Sequence, residues 1–259
     1  MALRFAAEGM VVVASDIERD ALDETIALVH ARTPGARLTA DVVDVSDADD
    51  VSALAERVFD EFGAVDLLCN NAGVFVGGFL WERVPADIEF TLGVNLYGIL
   101  HAVRAFVPRM IARDAESHVV NTVSIAGLLG SPYAGPYGIS KFAAFAATES
   151  LAGDLIAVGS RVRAHALCPG SIRTRIAESA RNRPDELAAD RTEDQDFVEA
   201  FLAETVADGM DPEQVAGIVL DALAGEDQFV IMTHPELLEQ VGARGVALQQ
   251  QRLPDVPQV

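Results

Sequence analysis

Residues 48–73 read ADDVSALAERVFDEFGAVDLLCNNAG, and the change of period inside this stretch sets the fold class. Val51, Leu54, Ala55, Val58 and Phe62 recur at three- and four-residue steps, which puts one apolar stripe on a helix over Ala48–Phe62. After Gly63 the helical period ends. Val65–Cys69 is a short apolar run of the kind found in a strand covered on both faces, and it stops at Asn70-Asn71-Ala72-Gly73. Small and amide residues there let the backbone turn tightly and come close to a ligand, or simply make a turn.

The same alternation extends in both directions. Upstream, Met10–Ser15 and Ala36–Val43 read as strands around an amphipathic Glu18–Arg32, and Met1–Gly9 reads as the last turns of a helix. Downstream come a long helix from about Ile88 to Arg113, in one or two pieces, and a strand over His118–Val123. Pro136 and Tyr137 open a helix that runs to about Val158, and the strand Arg163–Leu167 turns at Pro169-Gly170. A polar segment of helical tendency fills 171–208. Then follow a helix Asp211–Ala224 with Pro212 at its first position, a strand Gln228–Met232, and a polar tail from His234. Strands and helices in steady alternation predict an α/β fold: a parallel, doubly wound sheet with right-handed crossovers and helices on both faces. No repeat or linker divides the chain, so residues 1–259 form one domain. In such a sheet, ligands bind beyond the carboxyl ends of the strands.

Composition narrows the function. Half the 259 residues are apolar and the net charge is −21, so the chain is globular and its surface repels nucleic acid and anionic membrane. The two cysteines, Cys69 and Cys168, lie in apolar strand-like contexts, which suits a reducing cytoplasm better than a disulfide framework. No run reaches the ~18 apolar residues of a membrane span, and the N-terminus lacks the apolar core and cleavage site of a signal peptide. The five histidines have no ligand spacing, and the acidic run Asp41, Asp44, Asp47, Asp49, Asp50 lacks the glycine and closing glutamate of a calcium loop, so no metal site is expected. Ser124 has no flanking glycines, which argues against the elbow of a serine hydrolase.

Lys141 is the only lysine among 19 Lys and Arg residues, and it follows Tyr137 by one helical turn in Tyr137-Gly138-Ile139-Ser140-Lys141. A compact cation on the same helix face favours a phenolate, drawing the phenol down from its ordinary pKa of about 10 towards the range of an acid/base catalyst. Alone, this pattern also fits an accidental surface pair. Four further signals fall where a strand ends: Asp16, which equally reads as a helix N-cap; Asn70-Asn71-Ala72-Gly73; Ser124; and Pro169-Gly170 followed by Thr174. Asn95, inside a helix, reads on its own as a surface amide.

Taken together, Asn70-Asn71-Ala72-Gly73, Asn95, Ser124, Tyr137-x-x-x-Lys141 and Pro169-Gly170 resemble, in order and spacing, the motifs of the short-chain dehydrogenase/reductase family. The resemblance extends from Met10 to Met232. It implies a Rossmann-type fold and an NAD(P)-dependent oxidoreductase acting on a secondary alcohol or ketone. Carried over, Tyr137 is the acid/base, Lys141 lowers its pKa and holds the nicotinamide ribose, and Ser124 hydrogen-bonds the substrate oxygen. Asn95 supports a water-mediated proton path to Lys141. Asp16 faces the adenosine ribose and favours NAD over NADP, and Asp44 with Val45 lies at adenine. Asn70, Ala72, Gly73, Pro169 and Gly170 line the cofactor, and Ile172 and Thr174 hold its carboxamide. The family's dimer contacts imply a homodimer or homotetramer through the helices bearing Asn95 and Tyr137. Substrate specificity is expected in Val74–Trp81, Leu128–Pro136 and the segment 173–210, where Phe75, Phe79, Trp81, Leu128, Leu129 and Tyr133 point to a small hydrophobic alcohol or ketone.

One part of the family pattern has no counterpart. The first strand and its turn, Thr-Gly-x-x-x-Gly-x-Gly, do not occur, and Gly9, the first glycine, ends a helix. The chain is therefore expected to be N-terminally truncated and to lack the family's first, central strand. That loss would leave Met10–Ser15 and Val65–Cys69 with unpaired edges and weaken the hold on a diphosphate. The alternative function is a truncated, cofactor-deficient protein on the same fold, acting as a binding or scaffold module.

Overall fold

The computed structural model describes residues 1–225 and 228–254; the end of the predicted tail, 255–259, lies outside them. Helix α1 (Ala2–Ala7) leads through Gly9, at φ 83°, into strand β1 (Val12–Asp16). Then follow α2 (Arg19–Arg32), β2 (Leu38–Val42), α3 (Ala48–Phe62) and β3 (Leu67–Asn70). The predicted helix over 48–62 is met to the residue, because both its ends are chemically marked. The Asp47 carboxylate accepts from the backbone N–H of Asp49 and Asp50, and Gly63 closes the helix at φ 75°. Such an N-cap contributes about 1 kcal/mol.

The long apolar helix is continuous over Pro85–Ala112 but changes pitch midway. Helix α4 (Pro85–Leu92) passes through a π turn at Gly93–Tyr97 into α5 (Gly98–Ala112). By length and composition this 28-residue helix could cross a membrane. Its place, however, is inside the fold, where Ala102, Phe106, Val107 and Met110 pack on α3 and the sheet. Strand β4 (Ser117–Thr122), α6 (Gly135–Ala157) and β5 (Val162–Cys168) come next. The polar segment then holds 3-10 turns at Ile176–Asn182 and Asp185–Leu187, followed by α7 (Glu193–Ala207). Helix α8 (Pro212–Ala224), strand β6 (Val230–Met232) and α9 (Leu238–Gln249) complete the described chain.

Every strand pairing is parallel, and the sheet is covered on both sides. Val119 of β4 packs with α3 and α5, while its neighbour Val120 turns to the opposite face to meet Phe5 of α1 and Val215, Ala216 and Val219 of α8. Both valines are fully buried, and each such side chain contributes about 1.5–3 kcal/mol on leaving water. The strands form two sheets. One sheet has the order β1-β2 and the other β3-β4-β5-β6. Among the described residues, strands β1 and β3 each have a hydrogen-bonded partner on one side only. Val12 and Val13 on one side and Leu67 and Leu68 on the other line a common cavity of about 1690 Å³.

Candidate active site

At its start, α6 carries Tyr137 and Lys141 on one face. The backbone N–H of Tyr137 donates to Val76 O (3.2 Å), and its ring packs 5.0 Å from that of Phe75. Lys141 is buried; its Nζ donates to Thr122 O (2.8 Å) and stands 5.7 Å from the Tyr137 ring centre. The end of β4 is thus tied to α6 by the lysine. Ser124 lies just beyond that strand, where its Oγ accepts from Ala126 N (3.1 Å). The turn after Ser124 packs against α6 at Gly127, where a Cβ would fall 2.6 Å from Lys141 O. Ser124, Tyr137 and Lys141 line one cavity of about 810 Å³, together with Pro169, Gly170, Ile172 and Thr174.

The electrostatics differ from the sequence expectation. Burial raises the Tyr137 phenol above its ordinary value, and the Ser124 hydroxyl pulls only partly the other way. The predicted lowering by Lys141 is not seen in this structure, where desolvation of the phenol sets the direction and the lysine gives a donor to a backbone carbonyl. Burial also lowers Lys141 itself to about 8, because its charged form loses solvation.

Asn95 is no surface amide. The π turn brings it inward, fully buried, with every polar atom engaged. Oδ1 accepts from Val74 N (2.8 Å), and Nδ2 donates to Val74 O (2.9 Å) and Ser140 Oγ (2.8 Å). It lines neither cavity. A Cβ on Gly73 would fill the space between Asn95 Oδ1 (3.4 Å) and Lys141 Nζ (3.5 Å), so glycine leaves that gap open.

The other predicted cofactor residues divide between the two cavities. Asp16, Asp44, Val45, Asn70 and Ala72 line the larger one, and Asn71 and Gly73 line both. At the exposed end of β1, Asp16 Oδ1 accepts from Glu18 N (3.0 Å), an Asx-type turn rather than a cap on α2. Asp44 Oδ1 is held by Ser46 N (2.8 Å) and Ser46 Oγ (2.7 Å). Asn70 does more structural work than predicted: its Nδ2 donates to Asn121 Oδ1 (2.8 Å), whose own amide donates to Thr148 Oγ1 (3.0 Å). This buried chain joins β3 and β4 to α6. The donor set fits a dinucleotide at both ends, with a carboxylate at the end of β1 and an ammonium, a hydroxyl and a phenol around the second cavity. No glycine-rich turn serves the middle of such a ligand among the described residues. No group of three potential metal ligands occurs among them either, and both cysteines are free thiols pushed up to about 12 by burial.

Several residues at the site had no signal in the sequence. Ser179 Oγ accepts from Phe75 N (2.8 Å), fastening the 3-10 turn over the second cavity. His234, one of the five scattered histidines, stands against the Pro169-Gly170 turn, where a Cβ on Gly170 would fall 2.7 Å from Nδ1. Arg83, almost wholly buried, donates to Thr192 Oγ1 (2.7 Å) and Asp194 and so anchors the start of α7. Glu18 and Arg181 pair across 163 positions of sequence. Only contacts between distant elements reveal these roles. Of the six predicted specificity residues, Phe75, Leu129 and Tyr133 line the second cavity; Phe79, Trp81 and Leu128 do not. Trp81 is 77% exposed and stacks on Phe79.

Comparison with known proteins gives one consistent family. A family model described as short chain dehydrogenase matches residues 1–185. A CLA biosynthesis dehydrogenase/reductase of Lactiplantibacillus plantarum is 32% identical over 89% of this chain and 82% of its own length. A 1-deoxy-11-beta-hydroxypentalenate dehydrogenase of Streptomyces exfoliatus is 34% identical over 91% of this chain and 78% of its own. Among solved structures, a short chain dehydrogenase/reductase from Burkholderia phymatum in complex with NAD superimposes with a TM-score of 0.95 at 38% identity, covering 100% of this chain and 92% of that one. The family match starts at residue 1 and the superposition takes in the whole chain, so neither supports the expected truncation or the loss of a first strand.

Proposed function

The chain belongs to the short-chain dehydrogenase family, and from that premise we propose that it is an NAD-dependent oxidoreductase that interconverts a hydrophobic secondary alcohol and its ketone, with Tyr137 as acid/base. The observation that carries this function is the convergence of Ser124, Tyr137 and Lys141 on one cavity, reached from β4 and α6. A nicotinamide bound between Gly73 and Thr174 would supply or accept the hydride. The chain's own residues handle the proton and the position. Tyr137, whose protonated form burial favours, gives its phenolic proton to the forming alkoxide in reduction; in oxidation it acts as the phenolate and takes the hydroxyl proton. Ser124 Oγ orients the substrate oxygen beside that phenol. Lys141 Nζ, facing Asn95 Oδ1 across Gly73, is placed to hold a ribose hydroxyl and to pass a proton through the gap that the glycine leaves.

The remainder of the second cavity defines the substrate. Phe75, Leu129, Ile176, Val198, Phe201 and Leu202 make its wall, which suits an apolar carbon skeleton with one oxygen directed at Tyr137. Asp16 favours NAD, because a carboxylate at the end of β1 accepts from ribose hydroxyls and repels a 2′-phosphate. The two free thiols suit work in the cytoplasm. Exposed apolar residues on α5 and α6, Leu100, Ile111 and Ile156 among them, suit a homodimer or homotetramer.

A non-catalytic binding module is the second reading. It is favoured by the divided sheet, beside which no glycine-rich turn occurs among the described residues. Fluorescence titration with NADH and NADPH, followed by turnover assays over a series of hydrophobic secondary alcohols, separates the two. The oxidoreductase requires saturable NADH binding at micromolar levels and Tyr137-dependent turnover. Binding without turnover across that series would leave the module.

A further inference from the structure

If a dinucleotide reaches from Asp16 to Tyr137, its diphosphate lies midway, and the only side chains of the 173–210 segment that line both cavities are Arg181 and Asn182. In the structure both are turned onto Glu18. Arg181 Nη2 and Nε donate to Glu18 Oε1 at 2.5 and 3.1 Å, and Asn182 Nδ2 donates to the same oxygen at 2.9 Å. Arg175 Nη2 lies 3.8 Å from the other oxygen, Oε2. These three groups hold the Glu18 carboxyl down to about 2. Glu18 stands at the N-cap position just before α2, two residues beyond Asp16, whereas Arg181 belongs to the 3-10 turn after β5. The pair is therefore a clasp between the two sheets, drawn across the cleft that the ligand would occupy.

We propose that this clasp is exchangeable and that Arg181 is the diphosphate ligand, leaving Glu18 for the cofactor's phosphate oxygens when a dinucleotide binds. The proposal rests on the dinucleotide reading above and names a group for the middle of that ligand. Three features support it. A guanidinium binds phosphate through two parallel donors, the same fork it now offers to a carboxylate. A third of the Arg181 side chain and a quarter of the Glu18 side chain are exposed, so the pair is free to separate into solvent. After the exchange Glu18 keeps Asn182 and Arg175 and is not stranded as a lone anion.

The exchange differs in sign from a purely structural clasp. If Glu18 competes with the diphosphate for Arg181, removing the carboxylate strengthens binding and removing the guanidinium weakens it. If the pair merely fastens the segment, both changes weaken binding. The probes are ADP-ribose, which carries the diphosphate, and adenosine, which does not, titrated calorimetrically into the whole chain and its variants. Arg181→Gln should weaken ADP-ribose by about tenfold or more and leave adenosine within about twofold. Glu18→Gln should tighten ADP-ribose severalfold, and Arg181→Lys should recover part of the loss. The salt dependence of ADP-ribose binding should flatten in Arg181→Gln. Weakening by both Glu18→Gln and Arg181→Gln, or equal losses for the two probes, would overturn the exchange while leaving dinucleotide binding in place. Failure of the folded wild-type chain to bind either probe would overturn the dinucleotide reading, and the exchange with it.

Discussion

The two sheets are built to different standards. In β5, at the centre of the four-stranded sheet, every residue of Val162–Cys168 except Arg163 is buried. In β1 of the two-stranded sheet, Val12–Asp16, none is. The first sheet carries Ser124 and supports Tyr137 and Lys141, and the amide chain from Asn70 through Asn121 to Thr148 cross-links it internally. The second carries Asp16 and is drawn to the substrate segment by the exposed clasp at Glu18. Groups proposed to meet the reacting atoms, which need placement within a few tenths of an ångström, sit on the more deeply buried part. Groups proposed to recognise a sugar or an adenine sit on the looser part, where local opening costs less.

The largest test of that division is Tyr137→Phe. It should lower kcat by about 10²–10⁴-fold, the usual contribution of a positioned acid/base, while the NADH Kd stays within about twofold. A similar loss in affinity would mean that the phenol belongs to binding and that the chemical end is wrongly drawn. Amide hydrogen exchange addresses the contrast directly. Backbone N–H groups of β1 should exchange on the order of a hundredfold faster than those of β5, reflecting cheaper local opening. Equal protection in both strands would erase the distinction.

Lys141 gives a test that depends on pH. Its folded pKa of about 8 lies below its unfolded value of 10.5. Below pH 8 both states are charged, and the native state bears the full cost of a buried cation. Between about pH 8 and 10.5 the unfolded chain binds more protons, so stability rises with pH through that window. Relative to Lys141→Met, the wild type should be less stable at pH 7 by up to about 3 kcal/mol, with the difference shrinking towards pH 10, as read by denaturant melts. A constant difference would place the ammonium in contact with water. The smallest effect belongs to the looser sheet. Asp16→Ser should shift the NADH:NADPH preference by about tenfold towards NADPH, and unchanged selectivity would remove Asp16 from the ribose.

How much of this could be read in advance depends on how local each feature is. The helix over 48–62 was legible because the apolar stripe lies within it and Asp47 and Gly63 stand directly at its two ends. Strand ends drifted by up to two residues; β1, expected from Met10, starts at Val12. The residues of the second cavity were legible as a spaced set through the family resemblance, and the structure gathers Ser124, Tyr137, Lys141 and Thr174 as expected. The direction of the Tyr137 shift was not legible, because spacing reports the neighbouring charge but not the loss of water that outweighs it. Nor was the burial of Asn95, which depends on a π turn that no composition rule marks. The Glu18–Arg181 pair joins elements whose meeting only the tertiary fold decides.

Lys141 is the single lysine among the 259 residues, and it is buried in α6. A protease that cleaves only after lysine therefore has one bond to cut, Lys141–Phe142, and cannot reach it while that helix is packed. Its rate of cutting counts how often the heart of the site comes apart, and the two fragments, 1–141 and 142–259, make every opening visible as one clean step on a gel. An arginine in the same place would have been one cleavage site among many for an arginine-directed protease; the lysine turns the chain into a one-bond clock for its candidate site.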